Sequence, residues 1–192
     1  MDRKTSGCEN HEHCTNSCHS SVAQSLDEMD FERGIWFAAQ NGDLNRVKYL
    51  LEKKGVSPNV KDMSGYVALH YASRNGHVDV CKCLIKAGAD VNLRTRAGKA
   101  TPLHRAAIRG QVAVIQLLLD LKMGNQRICD VLAKDADGNT ALHKAVEGGN
   151  EEAVDLLLKA NSELLSIPNN KGVLPSFYAS TPAVIKLLES AN

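Results

Sequence analysis

Gly65-Tyr66-Val67-Ala68-Leu69-His70-Tyr71-Ala72 is echoed by Thr101-Pro102-Leu103-His104-Arg105-Ala106-Ala107, and again by Gly138-Asn139-Thr140-Ala141-Leu142-His143-Lys144-Ala145. The Leu-His pairs recur 34 and then 39 residues apart. Self-similarity at such a period predicts a row of small stacked units, not one core wrapped around an active site.

Working outward from the second copy gives the unit. Thr101 suits a helix N-cap, and Pro102 suits the first helical position, where its missing N–H is not needed. Leu103, Ala106 and Ala107 follow at helical spacing and make one apolar face. Gly110 supplies a left-handed stop, and a second helix is expected from Val112 to Leu119. In the preceding copy this second helix is 78–85, and Gly88-Ala89-Asp90-Val91-Asn92 then ends it and opens an extended hairpin. Helix, turn, helix, hairpin is a unit too thin to bury its own apolar face, so it must stack.

Ala-Leu-His-x-Ala, the Gly-His turn at Gly76-His77 and Gly-Ala-Asp-Val-Asn together resemble the ankyrin repeat family. The resemblance covers about residues 30–190. It implies an all-α solenoid of helix-turn-helix units with β-hairpin fingers. Four full repeats are expected (32–59, 63–92, 97–130 and 137–168) with a degenerate C-terminal cap at 172–188. The third departs from the pattern by one added residue within Gly98-Lys99-Ala100-Thr101 and by about six added around 123–132. In the first, Ile35-Trp36-Phe37-Ala38-Ala39 replaces the Leu-His phrase, so Trp36 is expected to plug an N-terminal cap. The domain division is a Cys/His-rich tail over 1–24, expected to lack structure, and the repeat domain over 25–192. Ser25-x-x-Glu28 has the form of a capping box at the start of the latter.

Composition narrows the function. The chain has 192 residues, a net charge of +1 and only 4% aromatic residues. That near-neutrality, without interleaved basic and aromatic residues, argues against nucleic acid. No apolar run approaches the length that spans a bilayer. Residues 1–20 contain no apolar stretch of a secretory signal, so the cysteines are expected to stay reduced in the cytosol or nucleus. No nucleophile, base and orienting group share a recognisable motif, and no phosphate loop occurs, so an enzyme is not expected. His70, His104 and His143 recur by translation and do not converge on one atom. The family resemblance gives them a structural role, hydrogen-bonded to nearby backbone and to a Thr hydroxyl.

The expected function is recognition of another protein by a monomer, without cofactor. The resemblance places partner contacts on hairpin tips and on the exposed positions of the first helices. Those positions are Phe37, Tyr71, Arg105 and Lys144, then Gln40, Arg74, Arg109 and Glu147 one turn on. The tips are Asp62-Met63, Arg94-Thr95-Arg96 and Asp135-Ala136-Asp137. The residues selected for binding are Phe37, Tyr71, Arg74, Arg94, Arg96, Arg105, Arg109 and Lys144, with Tyr71 at the centre, since Tyr and Arg dominate interface energetics. Between residues 93 and 127 seven basic side chains face one acidic, and between 137 and 163 six acidic face two basic. This asymmetry suits a partner with an acidic segment.

Two other chemistries stay open. Cys8, His11, His13, Cys14, Cys18 and His19 place six zinc-type ligands within twelve residues, either a metal-responsive module or a tail without bound metal. The resemblance also makes Asn92 a candidate for oxygen-dependent asparaginyl hydroxylation, with Leu84 eight residues upstream and Asp90-Val91 before it. Cys81 and Cys83 read as core or groove fillers, and Cys129, in the inserted loop, as an exposed thiol.

Overall fold

The computed structural model describes residues 34–124 and 126–191. Helix pairs follow one another along the chain: α1 (Ile35–Asn41) with α2 (Leu44–Glu52), α3 (Ala68–Asn75) with α4 (Val78–Lys86), α5 (Pro102–Ile108) with α6 (Val112–Asp120), and α7 (Ala141–Glu147) with α8 (Glu151–Ala160). A 3-10 segment at Ser162–Ser166 follows. The last unit pairs a 3-10 turn, Pro175–Tyr178, with α9 (Pro182–Ser190). First helices stack on first helices and second helices on second helices, making two layers. The chain is therefore the expected all-α solenoid.

Helices of seven to ten residues are too short to stand alone in water, so stacking has to hold them. Alanines let the first layer close up: Ala39, Ala68, Ala72, Ala106, Ala107, Ala141 and Ala145 have no exposed surface. Leu69, Leu103 and Leu142, from the Leu-His pairs, are buried beside them. Fully burying such a side chain contributes about 1.5–3 kcal/mol. Val47, Leu84, Ile115, Leu118, Val154, Leu157 and Val184 fill the gap to the second layer.

Polar groups then fasten each unit to the next. The Nδ1 atoms of His70, His104 and His143 accept the backbone N–H of the residue three places earlier, at 3.2, 3.3 and 3.1 Å. That fixes the proton on Nε2, which donates to Ala100, Asn139 and Val173 carbonyls of the following unit, at 3.0, 2.9 and 3.2 Å. The Thr101 and Thr140 hydroxyls also meet Nδ1 of their histidines, at 2.9 and 3.0 Å. Burial lowers the pKa of all three rings, that of His70 to about 4, so they stay neutral and keep this tautomer. Trp36, at the histidine's register in the first unit, is half-buried, and its indole N–H donates to the Val60 carbonyl at 3.0 Å. It fastens as well as plugs.

Other side chains reach backwards. His77, Gln111 and Asn150 follow the inter-helix glycines and bond carbonyls of the preceding unit at Gln40, Arg74 and Ala107. Gly76 has a φ of 79°, and a Cβ there would lie 2.2 Å from Gln111 Oε1. Only glycine satisfies both the left-handed turn and this close approach.

The fingers differ in detail from the expected hairpins. Each is a tight turn closed by a backbone bond, Asp62 N–H to Tyr66, Thr95 to Ala100, Asp135 to Asn139 and Asn169 to Val173, and all but the Thr95 turn add a second, Gly65 N–H to Asp62, Gly138 to Asp135 and Gly172 to Asn169. Adjacent fingers are tied by Arg96 N–H to Ser64, Ala136 to Gly98 and Asn170 to Asp137. Among the described residues the only paired strands are β1 (Lys122–Met123) and β2 (Gln126–Arg127), in the insertion of the third repeat.

Candidate protein-binding groove

The fingers meet the first helices through a repeated pairing. In three of the four described fingers the first residue approaches the side chain just after the histidine position of the same unit. In the second repeat Tyr71 Oη donates to Asp62 Oδ2 at 2.6 Å. In the fourth, Lys144 Nζ lies 3.8 Å from Asp135 Oδ2 and 2.9 Å from Glu147 Oε2. In the cap, Asn169 Nδ2 donates to Tyr178 Oη at 3.0 Å. The same finger residue also holds its own turn: Asp62 Oδ1 accepts from Ser64 and Tyr66 N–H, Asp135 Oδ1 from Asp137 and Asn139, and Asn169 Oδ1 from Lys171 and Val173. Side-chain closure of this kind is what Asx turns provide.

The third repeat breaks the pairing. Thr95 stands where the others carry Asp or Asn, and its hydroxyl accepts only the Ala100 N–H, at 3.1 Å. Arg105, at the position of Tyr71 and Lys144, therefore meets no finger carboxylate. Its Nη2 donates instead to the Tyr66 hydroxyl of the preceding unit, and its guanidinium lies 4.9 Å from the Tyr66 ring centroid. Arg105 Nε is buried without a hydrogen-bond partner. Tyr66 in turn stands 5.4 Å from Tyr71 and 5.5 Å from His70, centroid to centroid. Burial, and then the bond to Asp62, push the Tyr71 phenol well above its usual range, so its proton stays in that bond.

Beside Arg105 opens a cleft of about 200 Å³. Finger residues Gly98, Ala100, Asp135 and Asp137 form one wall, and His104, Arg105, Ile108, Lys144 and Glu147 the other. Finger meeting first helix is the geometry the sequence assigned to partner contacts. Phe37, Tyr71, Arg105 and Lys144 stand one per helix along the row α1, α3, α5, α7. Arg74 and Arg109 are exposed at the ends of α3 and α5, and Arg94 and Arg96 are exposed on the second finger. Sequence reasoning selected these positions and placed Asp62 and Thr95 at finger tips, but it missed Tyr66 and the pairing of finger with helix. A signal was present: finger residue and groove residue are nine places apart in Asp62/Tyr71, Asp135/Lys144 and Asn169/Tyr178.

Three expectations need correction or refinement. Cys129 is not an exposed thiol. The insertion forms the β1–β2 hairpin and then turns inward, leaving Cys129 4% exposed in the core cluster with Val131. Burial pushes its pKa up to about 12. Arg127 does not belong to a basic groove: its Nε and Nη1 donate to the Leu119 and Ala160 carbonyls near the ends of α6 and α8, where a cation suits the helix C-terminus. Cys81 is a core residue as expected, whereas Cys83 lines an outer cleft between α2 and α4.

The Asn92 carboxamide is occupied, donating to Ile128 O at 2.8 Å and accepting from Asp130 N–H at 2.9 Å. Asn59 bridges Gly88 and Asp90 in the same way one unit earlier. The cluster Cys8, His11, His13, Cys14, Cys18 and His19, and the capping box at Ser25, lie outside the described residues. Among the described residues no group of three or more Cys, His, Asp or Glu is placed to hold a metal ion, and no helix is long and apolar enough to cross a membrane.

A sequence profile described as "Ankyrin repeats (3 copies)" matches residues 11–95, 35–127 and 95–168. The chain belongs to the ankyrin repeat family. Ankyrin repeats are generally protein–protein interaction modules, and the family is typically non-enzymatic. The chain is similar to ankyrin repeat domain-containing protein 39 of Homo sapiens, 58% identical over 38% of this chain and 40% of that one. Its similarity to the Bos taurus protein of the same name is 67% over 32% of this chain and 33% of that one. Alpha-latrotoxin-Lg1a of Latrodectus geometricus is 36% identical over 58% of this chain, but the match spans only 8% of the toxin. In each case it spans less than half the relative's length.

Proposed function

We propose that this ankyrin array is a non-catalytic adaptor of the cytosol or nucleus that holds a segment of another protein between its fingers and first helices. The observation that carries this reading is the open cleft beside Arg105, lined from both walls by polar and charged side chains on a fixed frame. Binding groups on rigid elements need little reordering, which favours affinity. The deeper apolar surface is already used up in stacking, so specificity falls to the groove side chains.

The test is site-specific photo-cross-linking of the full chain in its native cells. A photo-reactive residue at Arg109, exposed at the end of α5, is expected to trap a defined protein. The same residue at Lys82, on the outer cleft between α2 and α4, is expected not to. Trapping from Lys82 and not from Arg109 sinks the groove reading.

A further inference from the structure

We infer that Arg105 is the anchor for a carboxylate of the partner, and that Thr95 is the residue that leaves it free for this. The inference rests on the groove reading above and names the chemistry of its occupant.

The argument begins with what the array does elsewhere. Asp62 engages Tyr71 and Asp135 engages Lys144, so at these two positions the finger acid is already committed inside its own repeat. In the third repeat the acid is replaced by a neutral hydroxyl. A methyl group built at Gly98 would lie 3.6 Å from Thr95 Oγ1 and 4.0 Å from Arg105 Nη2, so the hydroxyl and the guanidinium flank the same turn. An aspartate at 95 would sit where Asp62 and Asp135 sit and would offer Arg105 an internal partner. The sequence has threonine.

Arg105 is consequently a half-buried cation without an ion pair among the described residues. Tyr66 supplies one acceptor and a ring face, which suits a guanidinium but does not neutralise it. Partial burial strengthens the attraction for an anion, and a planar guanidinium matches a carboxylate in two-bond geometry. The exposed Arg94 and Arg96 on the same finger add to the field that steers an acid there. The fourth-repeat side of the cleft sets the direction of approach: Asp135, Asp137 and Glu147 outnumber Lys144, which Asp135 and Glu147 already hold. An acidic side chain is repelled there and must enter from the side of the second finger. The occupant is thus an acidic peptide segment of a protein.

The probe is a display library of random peptides selected on the full chain, with three variants in parallel. Selected peptides are expected to share an Asp or Glu at one position. Thr95→Asp, which supplies the missing internal carboxylate and keeps an acceptor for the Ala100 N–H, is expected to weaken these peptides about tenfold or more while raising the melting temperature. Opposite signs on binding and stability cannot come from damage to the fold. Arg105→Gln is the second variant, expected to lose the acidic preference even if Thr95→Asp folds poorly. Peptides without a shared acid, or bound equally by both variants, overturn the inference. If an Arg74→Glu/Arg109→Glu variant also releases those peptides, the groove reading survives that failure; if that variant binds them unchanged, both fall. Enrichment that needs the peptides' hydrophobic residues alone likewise overturns it.

Discussion

The finger of the third repeat and the fingers on either side of it perform the same closure with different parts. Asp62 and Asp135 each close a five-residue turn and still reach a groove side chain. Thr95 closes a turn one residue longer, from Thr95 to Ala100, and brings Arg105 neither a bond nor a negative charge. Beneath both kinds of finger the histidines make the same bonds to the next unit. The frame is uniform and the groove is not. Stacking needs only Leu, Ala, Gly and His at fixed places, so the side chains between them are free to specialise repeat by repeat.

The shared frame gives the largest expected effect. His70, His104 and His143 have pKa values lowered by burial, with His70 near 4. In the unfolded chain each returns to about 6.5 and takes up a proton below that pH. Because the unfolded state binds more protons, stability is fully present above pH 6.5 and is lost as pH falls toward 4. His70 alone accounts for a loss on the order of 3 kcal/mol across that window, and the other two act in the same direction. Denaturant titrations at pH 7 and pH 4.5 should show a clear fall in midpoint, with proton uptake on unfolding. A flat profile would mean that the rings are not buried and neutral, and the account of the frame would fail.

The fingers should separate in the next test. Asp62→Ala removes the acceptors of Ser64 N–H, Tyr66 N–H and the Tyr71 hydroxyl, and is expected to cost about 2–3 kcal/mol. Thr95→Ala removes one acceptor, for Ala100 N–H, and is expected to cost about 1 kcal/mol. Urea unfolding of the two variants compares them directly. Equal losses would show that Asp62 and Thr95 do the same work, and the contrast between the fingers would collapse.

How far the sequence could have led is clear from these residues. The repeat was legible because stacking forces a periodic vocabulary, and Leu69, Leu103 and Leu142 have one environment each time. Groove positions were legible by register, since Tyr71, Arg105 and Lys144 follow the histidine. The isolation of Arg105 was not: it depends on a neighbour ten places earlier being Thr instead of Asp, across a turn whose added residue shifts the count. Cys129 was misread because the insertion shifts the count: Cys129-Asp130-Val131 takes up the register of Ala89-Asp90-Val91 only after the β1–β2 hairpin. Arg127, within the hairpin, reaches two helix ends, and that fold-back has no counterpart among the other described units to reveal it.

The added residue offers the smallest and sharpest perturbation. In the flanking fingers the left-handed position is Gly65 and Gly138, both with φ of 79°. In the finger of the third repeat it passes to Lys99, with φ of 46°, the one non-glycine residue with positive φ among those described. A side chain there is strained by about 1 kcal/mol, while a glycine loses more chain entropy on folding. The two effects oppose each other, and the first is the larger where the conformation is imposed by the turn. Lys99→Gly should therefore raise stability by about 0.5 kcal/mol, read as a small upward shift in urea midpoint. Since Lys99 is exposed and not aimed at Arg105 by any bond, peptide affinity should not change with it. If the variant instead loses stability, the longer turn is not under the constraint that its φ implies. The finger of the third repeat would then be loose, and a loose finger could not hold Thr95 in place beside Arg105.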